Sequence, residues 1–283
     1  MKLSLQTADI YVPDQSDPAS ALRRTTHLGV SAHQDDLEIM AADGILACFR
    51  QPDRWFTGVV VTDGAGSPRD GLYRDFTDTQ MREVRRKEQR KAAQIGEYSA
   101  VLQLDHPSAA VRNPADTRPV EDLVEILGAS RPAVVYTHNL ADKHDTHVAV
   151  ALRVVAAIRR LPAAERPLRL YGCEVWRDLD WVVDDEKVVF DLSVHEELRI
   201  ALVSVFDSQI AGGKRYDLAT EGRRRANATY AAPHGTDTAS ACSYALDLTP
   251  LVADDSIDPA AFIRGAIDRF RQDVEDRIAR YIR

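Results

Sequence analysis

The stretch Ser31-Ala32-His33-Gln34-Asp35-Asp36-Leu37-Glu38 sets a histidine and two adjacent carboxylates directly after the apolar run Leu28-Gly29-Val30. A second polar group, from His138 to His147, follows another apolar run, residues 132–137. A catalytic zinc site needs about three nitrogen or oxygen ligands and an open position for water. His33 and Asp36 can supply two ligands from one turn, and His147 the third from the opposite loop. Zinc lowers the pKa of its water to about 7. Asp35 could then take the water's proton as general base. A protonated His144 could steady the developing oxyanion or protonate a leaving amine. This is a parts set for metal-assisted amide hydrolysis.

Simpler readings stand beside it. Asp35 and Asp36 could cap the following helix, worth about 1 kcal/mol. His144 and His147 could be surface residues at the start of another helix. Each cluster alone favours the simpler reading; both at strand ends together favour a metal.

The elements that must position these residues follow from the hydrophobic pattern. Residues 27–31, 55–62, 100–104 and 132–137 are short apolar runs bounded by turn residues, so strands. The run 55–62 has three consecutive valines, as expected of a strand buried on both faces. Residues 37–50 and 146–161 carry apolar residues at helical spacing, 77–95 is long, charged and free of Pro and Gly, and 119–127 is shorter; all four read as helices. Gly96 is the expected end of the second of these helices. This alternation predicts an α/β fold, Rossmann-like, with a mostly parallel sheet and helices on both faces. Ligands in such sheets sit at the C-terminal strand ends, where His33, Asp35, Asp36, Asp63, Asp105, His106, His138, His144 and His147 fall.

After Pro162 the order is less regular. Residues 168–176 and 187–192 read as strands, 195–206 as a helix, and 259–282 as a closing amphipathic helix. Residues 212–238 read as a long, partly irregular segment. The expectation is a single domain, 1–283, with a Rossmann-like core over 27–161 and a substrate-shaping, irregular C-terminal portion over 162–283.

A length of 283 residues suffices to bury a sizeable core. The net charge of −8 argues against a general nucleic-acid binder. The cluster Arg82, Arg85, Arg86, Lys87, Arg90 and Lys91 is interleaved with Glu83 and Glu88, so it reads as a solvated helix face. Cys48, Cys173 and Cys242 show neither a disulfide framework nor a metal motif. With no apolar signal core and no long apolar span, a cytoplasmic protein that is not membrane-bound is expected. Homo-oligomerisation is left open.

Ser31-Ala32-His33-Gln34-Asp35-Asp36 resembles the Ala-His-Pro-Asp-Asp-Glu signature of the PIG-L (LmbE-like) zinc deacetylases. Residues Asn139 to His147 resemble that family's second motif, Asp-x-His-Pro-Asp-His. Arg85-x-x-Glu88, with Ala92, Ala93 and Ile95-Gly96, is similar to its Arg-x-x-Glu helix, and Ser208-Gln209 is a weaker match. The resemblance covers roughly residues 27–230. It implies a Zn2+ ion held by His33, Asp36 and His147, with Asp35 as general base and His144 as oxyanion stabiliser or acid. Arg85 would reach the substrate. The implied reaction removes an N-acetyl group from an amino sugar or glycoconjugate, so the partner is a small N-acetylated molecule.

Four positions depart from the family. Gln34 replaces Pro, Leu37 replaces Glu with Glu38 one place late, and Asp145-Thr146 replaces Pro-Asp. With the acid missing at position 146, Asp142 or Asp145 could orient His144. Asp105 could touch a sugar hydroxyl or merely end a strand. His138 could support a ligand or be a satisfied buried histidine. Trp176, Trp181 and Tyr216 could stack on a sugar, although core packing is their default role. A degenerate metal site that only binds sugar, and a metal-dependent hydrolase of another small amide or ester, remain as alternatives.

Overall fold

The first strand of the parallel sheet, β2, sets the frame. In the computed structural model, which describes residues 1–282, eight strands form one sheet. They are β1 (Asp9–Tyr11), β2 (His27–Ser31), β3 (Phe56–Thr62), β4 (Ala100–His106), β5 (Val134–His138), β6 (Arg169–Cys173), β7 (Lys187–Asp191) and β8 (Cys242–Asp247). Their order is β1-β4-β3-β2-β5-β6-β8-β7. Strands β4, β3, β2, β5 and β6 run parallel, while β1, β8 and β7 join through antiparallel pairings. The mostly parallel sheet expected from the sequence is therefore present, with an antiparallel strand pair at one edge.

The helices are α1 (Pro18–Arg23), α2 (Asp36–Met40), α3 (Ala42–Cys48), α4 (Asp78–Ile95), α5 (Ser108–Arg112), α6 (Arg118–Ser130), α7 (Asp145–Arg159), α8 (Glu196–Ser204), α9 (Asp207–Ile210), α10 (Tyr216–Tyr230), α11 (Pro250–Ala253) and α12 (Pro259–Ala279). Side chains of a strand alternate between faces, and β3 shows it. Val59 and Val61 join one core with α1, α6, α7 and α11. Val60 joins a second core with α2, α3, α4 and α8. Helices thus cover both faces, which is why these strands are apolar along their whole length.

The segment read as one helix over 37–50 divides at Ala41 into α2 and α3. Leu37 fills a slot over two glycines: a Cβ at Gly29 would stand 2.8 Å from its side chain, and one at Gly58 2.6 Å. The Leu that replaces the family's Glu is therefore a core residue, fully buried.

Two expectations need correction. Residues 212–238 are not mainly irregular, since they contain α10, whose Arg224 and Asn227 are buried. Strand β8, absent from the sequence reading, lies between β6 and β7. No helix among the described residues is long and apolar enough to cross a membrane.

Candidate metal centre

The strand order reverses between β2 and β5, because β3 and β4 lie to one side of β2 while β5 and β6 lie to the other. Such a switch point opens a crevice between the loops leaving the two strands. Here those loops carry His33 to Asp35 after β2 and Asn139 to His144 after β5.

Three atoms converge in this crevice. His33 Nδ1 lies 3.1 Å from Asp36 Oδ2 and 3.2 Å from His147 Nε2. His147 Nε2 lies 3.3 Å from Asp36 Oδ2, closing the triangle. Ligands about 2.0–2.1 Å from a tetrahedral ion stand roughly 3.3 Å from one another. The donor set, two imidazole nitrogens and one carboxylate oxygen, also suits zinc. The residues present therefore fit the ion that the sequence resemblance implies. Overlapping sets, His33 with His144 and His147, and Asp36 with His138 and His147, are also close enough to share an ion. His138 is the less suited, because its Nε2 accepts the Ala32 backbone N–H at 2.9 Å. It is a buried histidine that holds the first loop.

That loop is tied down at nearly every residue. The His33 N–H donates to Asp36 Oδ2 at 2.8 Å. The Gln34 side chain donates to Gln103 Oε1 at 3.2 Å, and its carbonyl accepts from Arg85. Gln34, standing where the family has Pro, thus anchors the loop to β4. Asp35 has φ of 88°, a region that few residues other than glycine adopt. Its N–H donates to Gln89 Oε1 at 3.3 Å, and its carboxylate lies 3.5 Å from Arg85 Nη2. Gln89 also donates to Glu38 Oε1 at 2.8 Å. Backbone strain held by surrounding bonds is characteristic of functional loops.

Electrostatics divide the two neighbouring aspartates. Burial pushes Asp35 up to about 7, against the Arg85 charge and with help from Asp36. Burial acts on Asp36 in the same sense, but the charge and hydrogen bond of His147, with His33 and His138, hold it well below the usual carboxylate range. Burial works to lower His147, and Asp36 with Asp142 more than offsets this, raising it to about 9.

Asp142 belongs to His147 and not to His144, contrary to one expectation from the sequence. Asp142 Oδ2 lies 3.5 Å from His147 Nδ1 and accepts the Trp176 N–H at 3.2 Å. Its other oxygen accepts the His144 backbone N–H at 3.0 Å. A carboxylate behind a ligand histidine fixes the ring and raises its basicity. Among the described residues the His144 ring has no carboxylate partner, and it stacks on His147 at 4.5 Å. Burial, then the nearby His147 and His33, pushes its pKa down to about 4. His144 is therefore a neutral imidazole near pH 7, not the cation expected from the sequence.

His33, Asp35, Asp36, Arg85 and His144 line one cavity of about 360 Å³, with Trp176 and Tyr216 as an aromatic wall. Arg85 is buried, and its Nε and Nη1 have no partner among the described residues. Asp105 is not among the lining residues. Its carboxylate lies 3.3 Å from Arg86 Nη2, on the other side of α4's basic face, so the substrate contact expected of it is not seen. That face is less solvated than its composition suggests: Arg85 is buried, and Arg90 pairs with Asp9. His106, at the end of β4, is buried and bonded to Asp122 at 2.8 Å. His234 is exposed. Trp181 packs on Phe270. Glu88 accepts the Ser208 N–H at 2.7 Å and its hydroxyl at 2.6 Å, so the weak Ser208 match reflects a bond that docks α9 on α4. Lys214 and Arg112, which sequence reasoning missed, also line the cavity. They carried no signal because both lie in loops or short helices with no motif.

A Rossmann-like sheet with a histidine–aspartate cluster at its switch point defines the class. Residues 28–158 match the model of the PIG-L family, described as GlcNAc-PI de-N-acetylase. Among curated proteins none matches the sequence. The fold is similar to the 4-carboxy-2-hydroxymuconate hydratase of Pseudomonas putida, with TM-score 0.63, 18% identity, and coverage of 79% of this chain and 96% of that one. It is also similar to the N,N'-diacetylchitobiose deacetylase of Pyrococcus horikoshii, with TM-score 0.58, 16% identity, and coverage of 78% and 83%. A deacetylase of the teicoplanin biosynthesis pathway gives TM-score 0.53, 16% identity, and coverage of 79% and 98%.

Proposed function

We propose that this protein is a zinc-dependent N-deacetylase acting on an N-acetylated amino sugar or glycoconjugate. The observation that carries the reading is the closed triangle of His33 Nδ1, Asp36 Oδ2 and His147 Nε2, of which His33 and Asp36 line the same cavity as Asp35. The family match and the similar folds of two deacetylases support it. His33, Asp36 and His147 hold the ion, which when bound polarises the acyl carbonyl and makes a water acidic enough to react near neutral pH.

The chain's own residues do the rest. Asp35, with its pKa raised to about 7, is matched to take a proton from the attacking water near neutral pH. Arg85 and Gln89 hold its carboxylate and backbone in place. Asp35 then returns the proton to the departing amine. His144, as a neutral imidazole, donates an N–H to the developing oxyanion. Trp176 and Tyr216 offer faces for a sugar ring.

The direct test is acetate release from N-acetylglucosamine and N,N'-diacetylchitobiose by protein loaded with one equivalent of zinc. Excess zinc is to be avoided, since one similar fold, of a teicoplanin deacetylase, is described in a zinc-inhibited form. Absence of acetate from these and a wider panel of N-acetyl compounds overturns the reading.

A second reading has its own support. Lys214 and Arg112 line the cavity, and neither pairs with a carboxylate among the described residues. Free cations there suit an anionic substrate, and a similar fold carries a hydratase. A fold does not fix its reaction. Hydration of an unsaturated carboxylate, with no activity on amides, would favour this alternative.

A further inference from the structure

Behind the metal centre lies a second cavity, of about 190 Å³. It shares Asp36, Trp176 and Tyr216 with the first cavity, so these three side chains form a common wall. Trp176 and Tyr216 meet edge to face at 6.1 Å within that wall. Beyond it the lining is mostly apolar, from Ile39, Val175, Ala219 and the carbon stems of Arg223 and Arg224.

The charged groups of this chamber are already engaged. Glu174 accepts from Asn227 Nδ2 at 2.7 Å, from the Tyr244 N–H at 3.2 Å and from the Leu179 N–H at 3.2 Å. Arg224 Nη2 donates to the Glu38 and Ile39 carbonyls at 2.8 and 3.1 Å. Arg223 donates to the Val175 carbonyl. Two lining groups have no partner among the described residues: the Ser243 hydroxyl, on a side chain 4% exposed, and Arg224 Nε. A buried hydroxyl without a partner costs free energy unless something fills the space before it.

We propose that this chamber is an acyl pocket, and that the protein accepts N-acyl chains longer than acetyl, up to about six carbons. The inference rests on the amide-hydrolase reading above. The scissile carbonyl sits at the His33–Asp36–His147 triangle, and the chain passes Asp36 into the chamber. Ser243 at the wall leaves room for one oxygen function on the chain. The volume suits this occupant, since an apolar cavity of about 150 Å³ holds benzene, with six carbons. In the reaction, water oxygen bonds to the acyl carbon and the carbon–nitrogen bond breaks. The products are the carboxylic acid and the free amine, with the water's proton carried to the amine by Asp35.

The test uses the full chain with one equivalent of zinc. N-acetyl-, N-butanoyl- and N-hexanoylglucosamine are compared by kcat/KM, and acetate and hexanoate by calorimetric binding. Burying one methylene favours binding by about fourfold, so hexanoyl is expected to exceed acetyl by at least tenfold in both measurements. In Ser243→Leu, which fills the chamber, that ratio is expected to collapse toward one. A second filling variant, Ala219→Phe, starts from an exposed helix position and guards against misfolding of the first. Acetyl preferred over hexanoyl, with ratios unmoved by either variant, overturns the acyl pocket while leaving the deacetylase reading intact. Tenfold tighter hexanoate binding without hydrolysis of any amide keeps the pocket and overturns the reaction instead.

Discussion

His33 Nδ1 and His147 Nε2 stand 3.2 Å apart, although their residues leave different strands of the sheet. Two ring nitrogens at that distance share one proton or turn both lone pairs to a cation. With Asp36 Oδ2 as a third donor, the cation is favoured. The protein is expected to bind one zinc per chain. Zinc at a hundred times its Kd should add about 2.7 kcal/mol of stability. Metal analysis and thermal unfolding with and without chelator check this, and an unchanged Tm with no bound metal refutes it. His147→Ala should lose the ion.

Asp142 lies behind His147 and outside the triangle of donor atoms, 3.5 Å from His147 Nδ1. Asp142→Asn removes the charge behind His147 and keeps one oxygen, which can still accept the N–H of either His144 or Trp176. Zinc affinity is expected to fall roughly 10–100-fold, as read by competition with a chelating dye. Affinity equal to that of the parent would show that His147 is oriented by the loop alone.

Asp35→Asn is the sharpest test of the base. Asparagine tolerates positive φ better than most residues, so the strained loop is expected to persist and zinc to stay bound. The rate should fall by about 10²–10⁴. A variant that binds zinc and keeps full deacetylase activity would assign the proton transfer elsewhere.

Leu37→Glu would restore the family's residue at that position and is expected to damage the protein. The new carboxylate would enter the slot over Gly29 and Gly58, where Leu37 is fully buried. Burying it without a partner costs on the order of 3 kcal/mol or more. Chemical denaturation measures the loss, and a neutral result would mean that the slot opens to water.

Asp122 anchors the N-terminal segment, accepting the Ser4 N–H and hydroxyl at 2.7 Å and bonding to His106 at 2.8 Å. Burial works to raise its pKa, but these bonds prevail and hold it below the ordinary 3.8. A carboxylate depressed on folding stabilises the protein above its unfolded pKa, and that contribution fades as pH falls through the folded value. Asp122→Ala should therefore cost about 2–3 kcal/mol at pH 7, with the gap to the parent closing below about pH 4. A gap that does not vary between pH 7 and pH 3 would contradict it.

The parallel half of the fold was legible because β2, β3, β4 and β5 are apolar on both faces and end in turn residues. Strand β8 was not, since Cys-Ser-Tyr-Ala-Leu-Asp mixes small and polar residues that a strand between two antiparallel neighbours can bury. Helix α10 was hidden by Gly222 and three consecutive arginines, whose buried member serves distant carbonyls. At the site, His33, Asp35, Asp36, His144 and His147 could be picked out because residue type and strand-end position agreed. Their meeting in one crevice follows from the reversal of strand order at β2 and β5. Asp142's choice of His147 over His144 depends on the path of the loop from Asn139, which spacing does not encode. Asp105 misled for the same reason: a strand end need not face the crevice, and Arg86 claims it.

Helix α2, which carries Asp36, is only five residues long and has little stability of its own. Its closing carbonyls, those of Glu38 and Ile39, are held by Arg224 from α10. That residue lies well outside the segment 28–158 that matches the family. A chimera that grafts another C-terminal half onto this segment, in search of a new acceptor, would therefore inherit a loosened Asp36 unless an arginine is transplanted to the same place.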